Sequence, residues 1–272
     1  MVKKAVIAVV VIVVVAVVAV GAYFALSGGN DKDPNDVTFL IQDEKGVYFW
    51  ISGNGETTLD ALEDALSDYP SGTLTANSRG GISTLFGLGT QQVGVNYIYW
   101  VQFTWTNNEW EFSNLMMNNV PSNTVDYMLV VYAVSSMDGV DVPEGTPTPG
   151  DAKVWDGSTN GTVFHIKSET GLYFKINGTG GSTLLETFKN ACEKYKIPLK
   201  TAHNTYNASD YLQGIFDILA SDEDGDGVWS YWAEYEYKSG AWESSNIGMG
   251  GLKSSDNPQY ALMFGDGTEI PT

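Results

Sequence analysis

The chain opens with an unbroken apolar run, Ala5 to Leu26, that holds no charged side chain. At about 1.5 Å per residue, a helix of this length reaches across the hydrocarbon core of a bilayer. Lys3 and Lys4 precede the run and several aspartates follow it. The positive-inside rule therefore predicts a cytoplasmic stub at residues 1–4, a single-pass anchor at residues 5–26 and extracellular domains beyond it.

Two other interpretations of this run stay open. Ala25 and Ser27 form a small-x-small pair that a signal peptidase could use, although the run is longer than an ordinary signal core. A pilin-like leader would instead be cut after Lys4, and the apolar helix would then pack into a filament. The sequence does not decide between an anchor, a cleaved signal and a pilin-like helix.

A different periodicity begins after a polar spacer at residues 27–36. The runs VTFLIQ and VYFWIS flank a turn that ends in Gly46, which predicts a β-hairpin. Thr58 is predicted to cap a helix, because the apolar residues from Leu59 to Leu66 recur at helical spacing. The rest of this repeat, after the helix, is predicted to be extended. Two strands, one packed helix and three or four further strands on a mixed sheet predict a β-grasp-like fold.

This pattern occurs twice along the chain. GVYFWISGNGETTL at residues 46–59 aligns with GLYFKINGTGGSTL at 171–184, and YWVQFTWTNNEWEFSNLMM at 99–117 aligns without a gap with YWAEYEYKSGAWESSNIGM at 231–249. A segment rich in Pro, Gly and Asp separates the copies. The predicted fold class is α+β. The prediction places an N-terminal transmembrane helix before two tandem β-grasp-like domains, at 37–134 and 161–270, joined by a solvated linker at 135–160.

The order of these motifs resembles a known family. A hairpin, a helix introduced by TTL, the segment GTLTANSRGGISTLFGL, a Tyr-Trp strand hairpin and an apolar last strand are similar to the C-terminal β domain of transcobalamin and intrinsic factor. They are also similar to bacterial and archaeal surface domains described as transcobalamin C-terminal-like. The resemblance implies a β-grasp fold and suggests cobalamin, a corrinoid, as a ligand. The carriers hold the corrinoid against a helical barrel, and no stretch of this chain could form one.

Composition narrows the class of partner. The formal charge of -19 argues against a nucleic-acid partner, because phosphate binding requires a basic surface. Cys192 is the single cysteine, so the chain forms no internal disulfide, and its place on the apolar face of the second predicted helix indicates a core position. Stability is therefore expected to come from packing.

Tryptophans on the Tyr-Trp strands are the main candidates for ligand contact. Alternate residues of a strand face opposite sides of the sheet, so Tyr99, Val101 and Phe103 form a core row, while the other row faces the open side. An aromatic side chain among polar neighbours suits a glycan or a planar ligand. The alternative is that these tryptophans cover a neighbouring strand or the other domain. The predicted ligand-binding residues are Trp100, Gln102, Trp110, Trp232, Glu234 and Trp242.

An acidic loop in the second copy is a candidate calcium site. Asp222, Asp224 and Asp226 have the D-x-D-x-D-G spacing that can place three carboxylates around a hard cation. Ala233 stands where such a loop needs its bidentate glutamate, and the aligned loop of the first copy has no acids. The other interpretation is a solvated acidic turn.

Catalytic motifs are absent from the sequence. It contains no G-x-S-x-G, H-E-x-x-H or phosphate-binding loop, and its two histidines lie far apart. The sequence therefore predicts a non-enzyme. The leading hypothesis is a membrane-anchored extracellular binding protein for a corrinoid, another small planar ligand or a glycan. The alternative is a structural or adhesive component of the cell envelope or of a filament, in contact with an envelope protein.

Overall fold

The computed structural model describes residues 33–69, 73–135, 140–204, 209–221, 229–254, 258–269 and 271. The chain divides into two compact units, Met1–Pro34 and Asn35–Thr272. The first unit is described only at Asp33 and Pro34, so the predicted anchor at residues 5–26 lies outside the described residues. All the strands and helices below belong to the second unit.

The same order of elements occurs in both repeats. The first repeat contains β1 (Asp36–Gln42), β2 (Tyr48–Asn54), α1 (Thr58–Leu66), β3 (Leu74–Ala76), β4 (Ile82–Leu85), β5 (Leu88–Gly89), β6 (Gln91–Val93), β7 (Asn96–Thr106), β8 (Glu109–Phe112) and β9 (Tyr127–Ser135). The second contains β10 (Thr162–Lys167), β11 (Tyr173–Gly178), α2 (Leu184–Tyr195), β12 (Leu199–Asn204), β13 (Ser209–Ile215), β14 (Ile218–Leu219), β15 (Tyr231–Lys238), β16 (Ala241–Ser244) and β17 (Gln259–Gly265).

Both helices begin with the same capping arrangement. The Thr57 hydroxyl accepts from the Asp60 N–H, and the Asp60 carboxylate accepts from the Thr57 N–H. Thr183 and Glu186 repeat this reciprocal pair at the start of α2. Such a box satisfies N–H groups that the first helical turn leaves without partners. The cap of α1 lies one residue before Thr58, the position that the sequence predicted.

The strands form four sheets. Sheet 1 has the order β2-β1-β9-β7-β6, with β8 also paired to β7, and sheet 2 has the order β3-β4-β5. Sheet 3 has the order β11-β10-β17-β15-β16, and sheet 4 has the order β12-β13-β14. In sheets 1 and 3 the first strand of the repeat runs parallel to the last one, and the other pairs are antiparallel.

The four sheets surround one shared core. Phe49 of sheet 1 stacks on Phe174 of sheet 3, with ring centroids 5.1 Å apart and an interplanar angle of 12°. Phe86, at the turn of sheet 2, packs edge-on against Phe49 at 5.7 Å. Phe216, at the turn of sheet 4, contacts both Tyr48 and Phe174. These contacts join the sheets into a propeller-like ring whose interior is a single apolar cluster.

The prediction of two tandem β-grasp domains behind a transmembrane helix is therefore wrong. The protein is mostly β, with four small sheets. The middle hairpin of each repeat builds a sheet of its own, and its turn phenylalanine enters the core that both repeats share. Neighbouring repeats can bury their apolar faces together in this way, so neither needs a complete core.

The prediction of a single-pass membrane protein with extracellular domains is also not supported. Among the described residues, neither helix has the length and apolar character that a membrane crossing requires. The longer one, α2, has 12 residues. The physical basis of the prediction was the apolar run at residues 5–26, and none of that run is described.

Asp43 joins the first hairpin turns of the two repeats. Its side chain is fully buried, and Oδ1 accepts from the N–H groups of Lys45 and Val47 at 3.0 and 2.9 Å. Oδ2 accepts from the hydroxyls of Thr170 and Ser168 in the equivalent turn of the second repeat. Burial raises the pKa of this carboxyl above its ordinary value, and the hydrogen bonds offset only part of that effect.

Asp43→Asn is expected to raise the free energy of unfolding at pH 7 relative to the wild type. The amide can keep both backbone acceptor bonds and donate to Thr170, while it removes a buried charge. Because the pKa of Asp43 is raised in the folded state, its burial costs stability as pH rises from about 4 through the folded pKa. Urea unfolding at pH 4 and pH 7 should show the advantage of the variant growing with pH.

Asp43→Ala is the control, because it leaves both backbone donors without an acceptor. It is expected to destabilise the protein by about 1–3 kcal/mol. An Asp43→Asn variant that loses stability against the wild type as pH rises would contradict this assignment.

Candidate functional site

The outer face of sheet 1, turned away from the shared core, is covered by residues 140–154, which we call the strap. Apolar strap residues pack on the cluster that contains Leu40, Phe103 and Leu129. The Trp110 indole N–H donates to the Pro147 carbonyl at 3.0 Å. The segment that the sequence predicted as a solvated linker therefore lies against the sheet. The strap residues in this contact are Val140, Val142, Ala152 and Val154.

The equivalent face of sheet 3, which we call the open face, is covered differently. Its apolar cluster consists of four strand residues and Trp242, and all of them belong to sheet 3. The segment after β17 reaches one side, where the Tyr235 hydroxyl donates to the carbonyls of Gly267 and Glu269. No apolar residue from outside sheet 3 joins this cluster in the described part of the chain.

His165 lies at the centre of the open face. Its neighbour on β17 is Ala261, whereas the corresponding pair in sheet 1 is Leu40 and Leu129. The small alanine leaves space for the Trp242 ring to contact the His165 ring at 5.1 Å. His165 Nδ1 also hydrogen-bonds the Tyr173 hydroxyl. Burial, and then the charge of Lys175, lower the pKa of His165 to about 4, so the imidazole is neutral at pH 7.

A cavity of about 520 Å³, including its open mouth, lies beside His165. Apolar groups form one part of the wall, and groups that can hydrogen-bond form the rest. The lining residues are Trp155, Thr159, Val163, His165, Lys175, Pro258 and Gln259.

Lys175 supplies the positive charge of this cavity. Its ammonium lies 5.2 Å from the centre of the Trp155 ring and donates to the Asp68 carbonyl at 3.2 Å. Burial lowers the pKa of this lysine. Within the described ranges, no carboxylate forms an ion pair with Lys175 within 4 Å. The charge of Asp68 offsets part of this effect of burial. A half-buried ammonium that is bonded to a carbonyl and flanked by aromatic rings can accept an anion.

The structure places Trp100 and Trp232 in the shared core, where they are 6% and 7% exposed. Their indole N–H groups donate to the carbonyls of Leu88 and Ile218, on the middle hairpins of their own repeats. This geometry corresponds to the alternative in which the tryptophans cover neighbouring strands. The strand row that contains Trp100 or Trp232 was predicted to face away from the core. It faces the shared core instead.

Gln102 and Glu234 hold nearby loops. The Gln102 amide donates to the Leu115 carbonyl. The Glu234 carboxylate accepts from the Tyr260 hydroxyl at 2.6 Å and from the Met249 N–H at 3.1 Å, and burial raises its pKa. Gln102 fixes the turn that follows β8, and Glu234 fixes the turn that follows β16.

Of the predicted ligand-binding set, Trp242 alone lies on the open face. Trp110 contacts the strap, as described above. The predicted calcium ligands Asp222, Asp224 and Asp226 lie outside the described residues.

No protein-family model and no curated protein matches the chain. The resemblance to the transcobalamin C-terminal domain, with its suggestion of a corrinoid, therefore stays a prediction that depends on short motifs.

The sequence did not single out the cavity residues as a group. His165 comes from β10, Lys175 from β11 and Trp155 from the segment between the repeats, so only folding brings them together. One signal was present. Lys175 interrupts the apolar run GLYFKING at the position where the aligned GVYFWISG has Trp50. A charge in an aromatic position of a buried strand indicates a special environment.

Proposed function

We propose that the protein is a binding protein that holds a small acidic ligand in the cavity at the open face. The proposal rests on one observation. Lys175 is a half-buried ammonium that lines the cavity, and among the described residues it has no ion-pair partner. An anionic group in the cavity would offset the desolvation of this ammonium, which is the largest cause of its lowered pKa.

The rest of the cavity wall favours a ring with one flat side. Trp155, Val163 and Pro258 offer apolar surface, while Thr159 and Gln259 offer hydrogen-bonding groups. An acidic sugar combines these features, since one side of a sugar ring is apolar and its edge is polar. The overall charge of -19 repels polyanions, so a ligand with a single carboxylate fits better than a polyphosphate.

A corrinoid is the competing ligand suggested by the family resemblance. Its macrocycle is too broad to be enclosed by a cavity of about 520 Å³ and would have to lie across the mouth. The acidic sugar is therefore the better fit to the geometry. Both ligands, the acidic sugar and the corrinoid, are therefore titrated.

Isothermal titration of the protein with glucuronic acid is expected to show saturable binding, with weaker binding of neutral glucose. Lys175→Met should reduce the affinity for glucuronic acid by about tenfold or more, because a hydrogen bond to a charged group contributes about 1.5–3 kcal/mol. Cyanocobalamin is titrated in parallel.

Lys200→Met is the matched control. It removes the same charge from an exposed position on sheet 4, away from the cavity. Its affinity is expected to equal that of the wild type. Equal affinity in the Lys175→Met variant, or no uptake of glucuronic acid at millimolar concentration, contradicts the proposal. Tight binding of cyanocobalamin alone would assign the site to the corrinoid instead.

A further inference from the structure

A row of three polar side chains crosses sheet 3 beside the cavity. Tyr173 lies on β11, His165 on the neighbouring β10 and Gln259 on β17, which pairs with β10 on its other side. His165 bonds both of the others, since its Nδ1 contacts the Tyr173 hydroxyl and its ring also bonds the Gln259 side chain. Because Nδ1 is already engaged, the bond to Gln259 belongs to Nε2. His165 and Gln259 line the cavity, so the row ends at the proposed ligand.

The first repeat has no such row. The pairing of β1 with β9, compared with that of β10 with β17, shows that Leu40 is equivalent to His165 and Tyr127 to Gln259. Together with Lys175, three positions that carry large apolar or aromatic side chains in the first repeat therefore carry polar groups in the second. Polar groups on a buried face cost free energy unless they have partners. The fold forms without this row in the first repeat, which indicates that the row serves the cavity.

The phenol of Tyr173 decides which atoms of the row donate. Tyr173 is 9% exposed, and burial raises the pKa of its hydroxyl, so the hydroxyl keeps its proton. Among the described residues its hydrogen-bond partner is the Nδ1 of His165. A buried hydroxyl proton requires an acceptor, so the phenol donates to Nδ1. A neutral imidazole has one donor and one acceptor nitrogen, so the ring proton lies on Nε2 and is donated to the Gln259 side-chain oxygen.

The amide nitrogen of Gln259 is then the part of this side chain that is left for a ligand. Its oxygen is engaged by His165, whereas its two N–H groups can only donate. Lys175 brings a charged donor to the same cavity. A ligand that satisfies both side chains has a carboxylate for the ammonium and a second oxygen acceptor for the amide.

We infer that Gln259, oriented by His165, donates a hydrogen bond to an oxygen of the ligand that is attached to the carbon bearing the carboxylate. The site therefore takes acids with a ring, ether or carbonyl oxygen at that carbon. Uronic acids have this arrangement, because their ring oxygen is bonded to the carbon that carries the carboxylate. The inference rests on the proposed function, since it assigns a second contact to the same ligand. His165 is a positioning residue that acts through Gln259.

Two carboxylates of similar shape test this contact. Tetrahydropyran-2-carboxylate has a ring oxygen beside its carboxylate, and cyclohexanecarboxylate has a methylene group in that place. Both are titrated into the protein by NMR, and the ratio of the two affinities is compared between variants. Gln259→Met keeps the length of the side chain but removes its donors. It is expected to lower the preference for the oxygen-containing acid about three- to tenfold, which corresponds to one hydrogen bond.

Tyr173→Phe tests the positioning role of His165. Without the phenol proton, the imidazole is no longer held in one tautomer, and the Gln259 amide can turn its oxygen towards the ligand. The preference for the oxygen-containing acid is therefore expected to fall towards that of Gln259→Met. Nitrogen-15 NMR of the free protein at pH 7 reports the tautomer, and the proton is expected on Nε2. The chain has two histidines, so His203→Gln assigns the signals.

Tyr48→Phe is the matched control. It removes the equivalent hydroxyl of the first repeat, which donates to the Lys196 carbonyl, and should change neither the preference nor the tautomer. A proton on Nδ1 in the wild type, or an unchanged preference in Gln259→Met, would overturn the inference. If Lys175→Met still weakens the binding of both acids in that case, the proposed function stands without this second contact. Failure of both acids to bind in the millimolar range would overturn the proposed function and the inference with it.

Discussion

Gly53→Ala is expected to lower the free energy of unfolding by about 3 kcal/mol or more. A Cβ at Gly53 would lie 2.1 Å from the Ala61 carbonyl oxygen and 2.5 Å from the Ala65 nitrogen, both in the backbone of α1. Backbone atoms cannot move aside as a flexible side chain can, so the whole helix would have to shift. Glycine in a strand marks such a close approach. Urea denaturation measures the effect.

The second repeat offers the same test at Gly178. There a Cβ would lie 2.4 Å from the Thr187 carbonyl oxygen of α2, so Gly178→Ala is expected to have a similar cost. Gly248→Ala is the control, since a Cβ there meets nothing within 4 Å, and it should change stability by less than about 0.5 kcal/mol. Equal stability of all three variants would show that the helices do not pack this closely on their sheets.

Phe49→Ala is expected to destabilise the protein by about 3–5 kcal/mol and to loosen both repeats together. Phe49 is 6% exposed, and it contacts Tyr69, Phe86 and Phe174. The cavity left by its removal would lie where the two halves of the shared core meet. Hydrogen exchange is therefore expected to accelerate in β10 and β11 as well as in β1 and β2.

Phe112→Ala is the control for the loss of a phenyl ring from the first repeat. Phe112 is 54% exposed, so its removal should cost little and leave exchange in the second repeat unchanged. Faster exchange confined to the first repeat in Phe49→Ala would contradict a core shared between the repeats. A double mutant with Phe174→Ala should cost less than the sum of the two single variants, because the rings contact each other.

Local patterns predicted the individual elements well. The runs VTFLIQ and VYFWIS correspond to β1 and β2, and both predicted helices are present, with the cap of α1 one residue earlier. These elements depend on interactions between near neighbours in sequence. Their assembly depends on contacts that the sequence does not display.

The separate sheets of the middle hairpins show this limit. Phe86 and Phe216 lie at hairpin turns with φ values of 52° and 54°, a conformation that bulky residues rarely adopt. Their rings pack against the shared core, which maintains this backbone conformation. Phenylalanine is typical of strands and not of turns. The sequence therefore predicts that the middle hairpin of each repeat continues the main sheet, whereas it forms a sheet of its own.

The candidate site could be predicted only in part. Alternation along the Tyr-Trp strand separates the two rows correctly, but it does not say which row faces the larger core when both faces of a sheet are covered. In sheet 1 the strap covers the row with Val101 and Phe103, while Trp100 faces the shared core. Trp242 lies on the neighbouring strand of sheet 3, where no strap residue covers it.

Among the described residues, no segment covers the outer face of the second repeat as the strap covers that of the first. Hydrogen exchange of the indole N–H groups tests this directly, with signals assigned from Trp110→Phe and Trp242→Phe. After transfer to D₂O, the Trp110 N–H, bonded to Pro147, should exchange slowly and the Trp242 N–H quickly. Slow exchange of the Trp242 N–H, equal to that of Trp110, would contradict this difference and show that the outer face of the second repeat is covered as well.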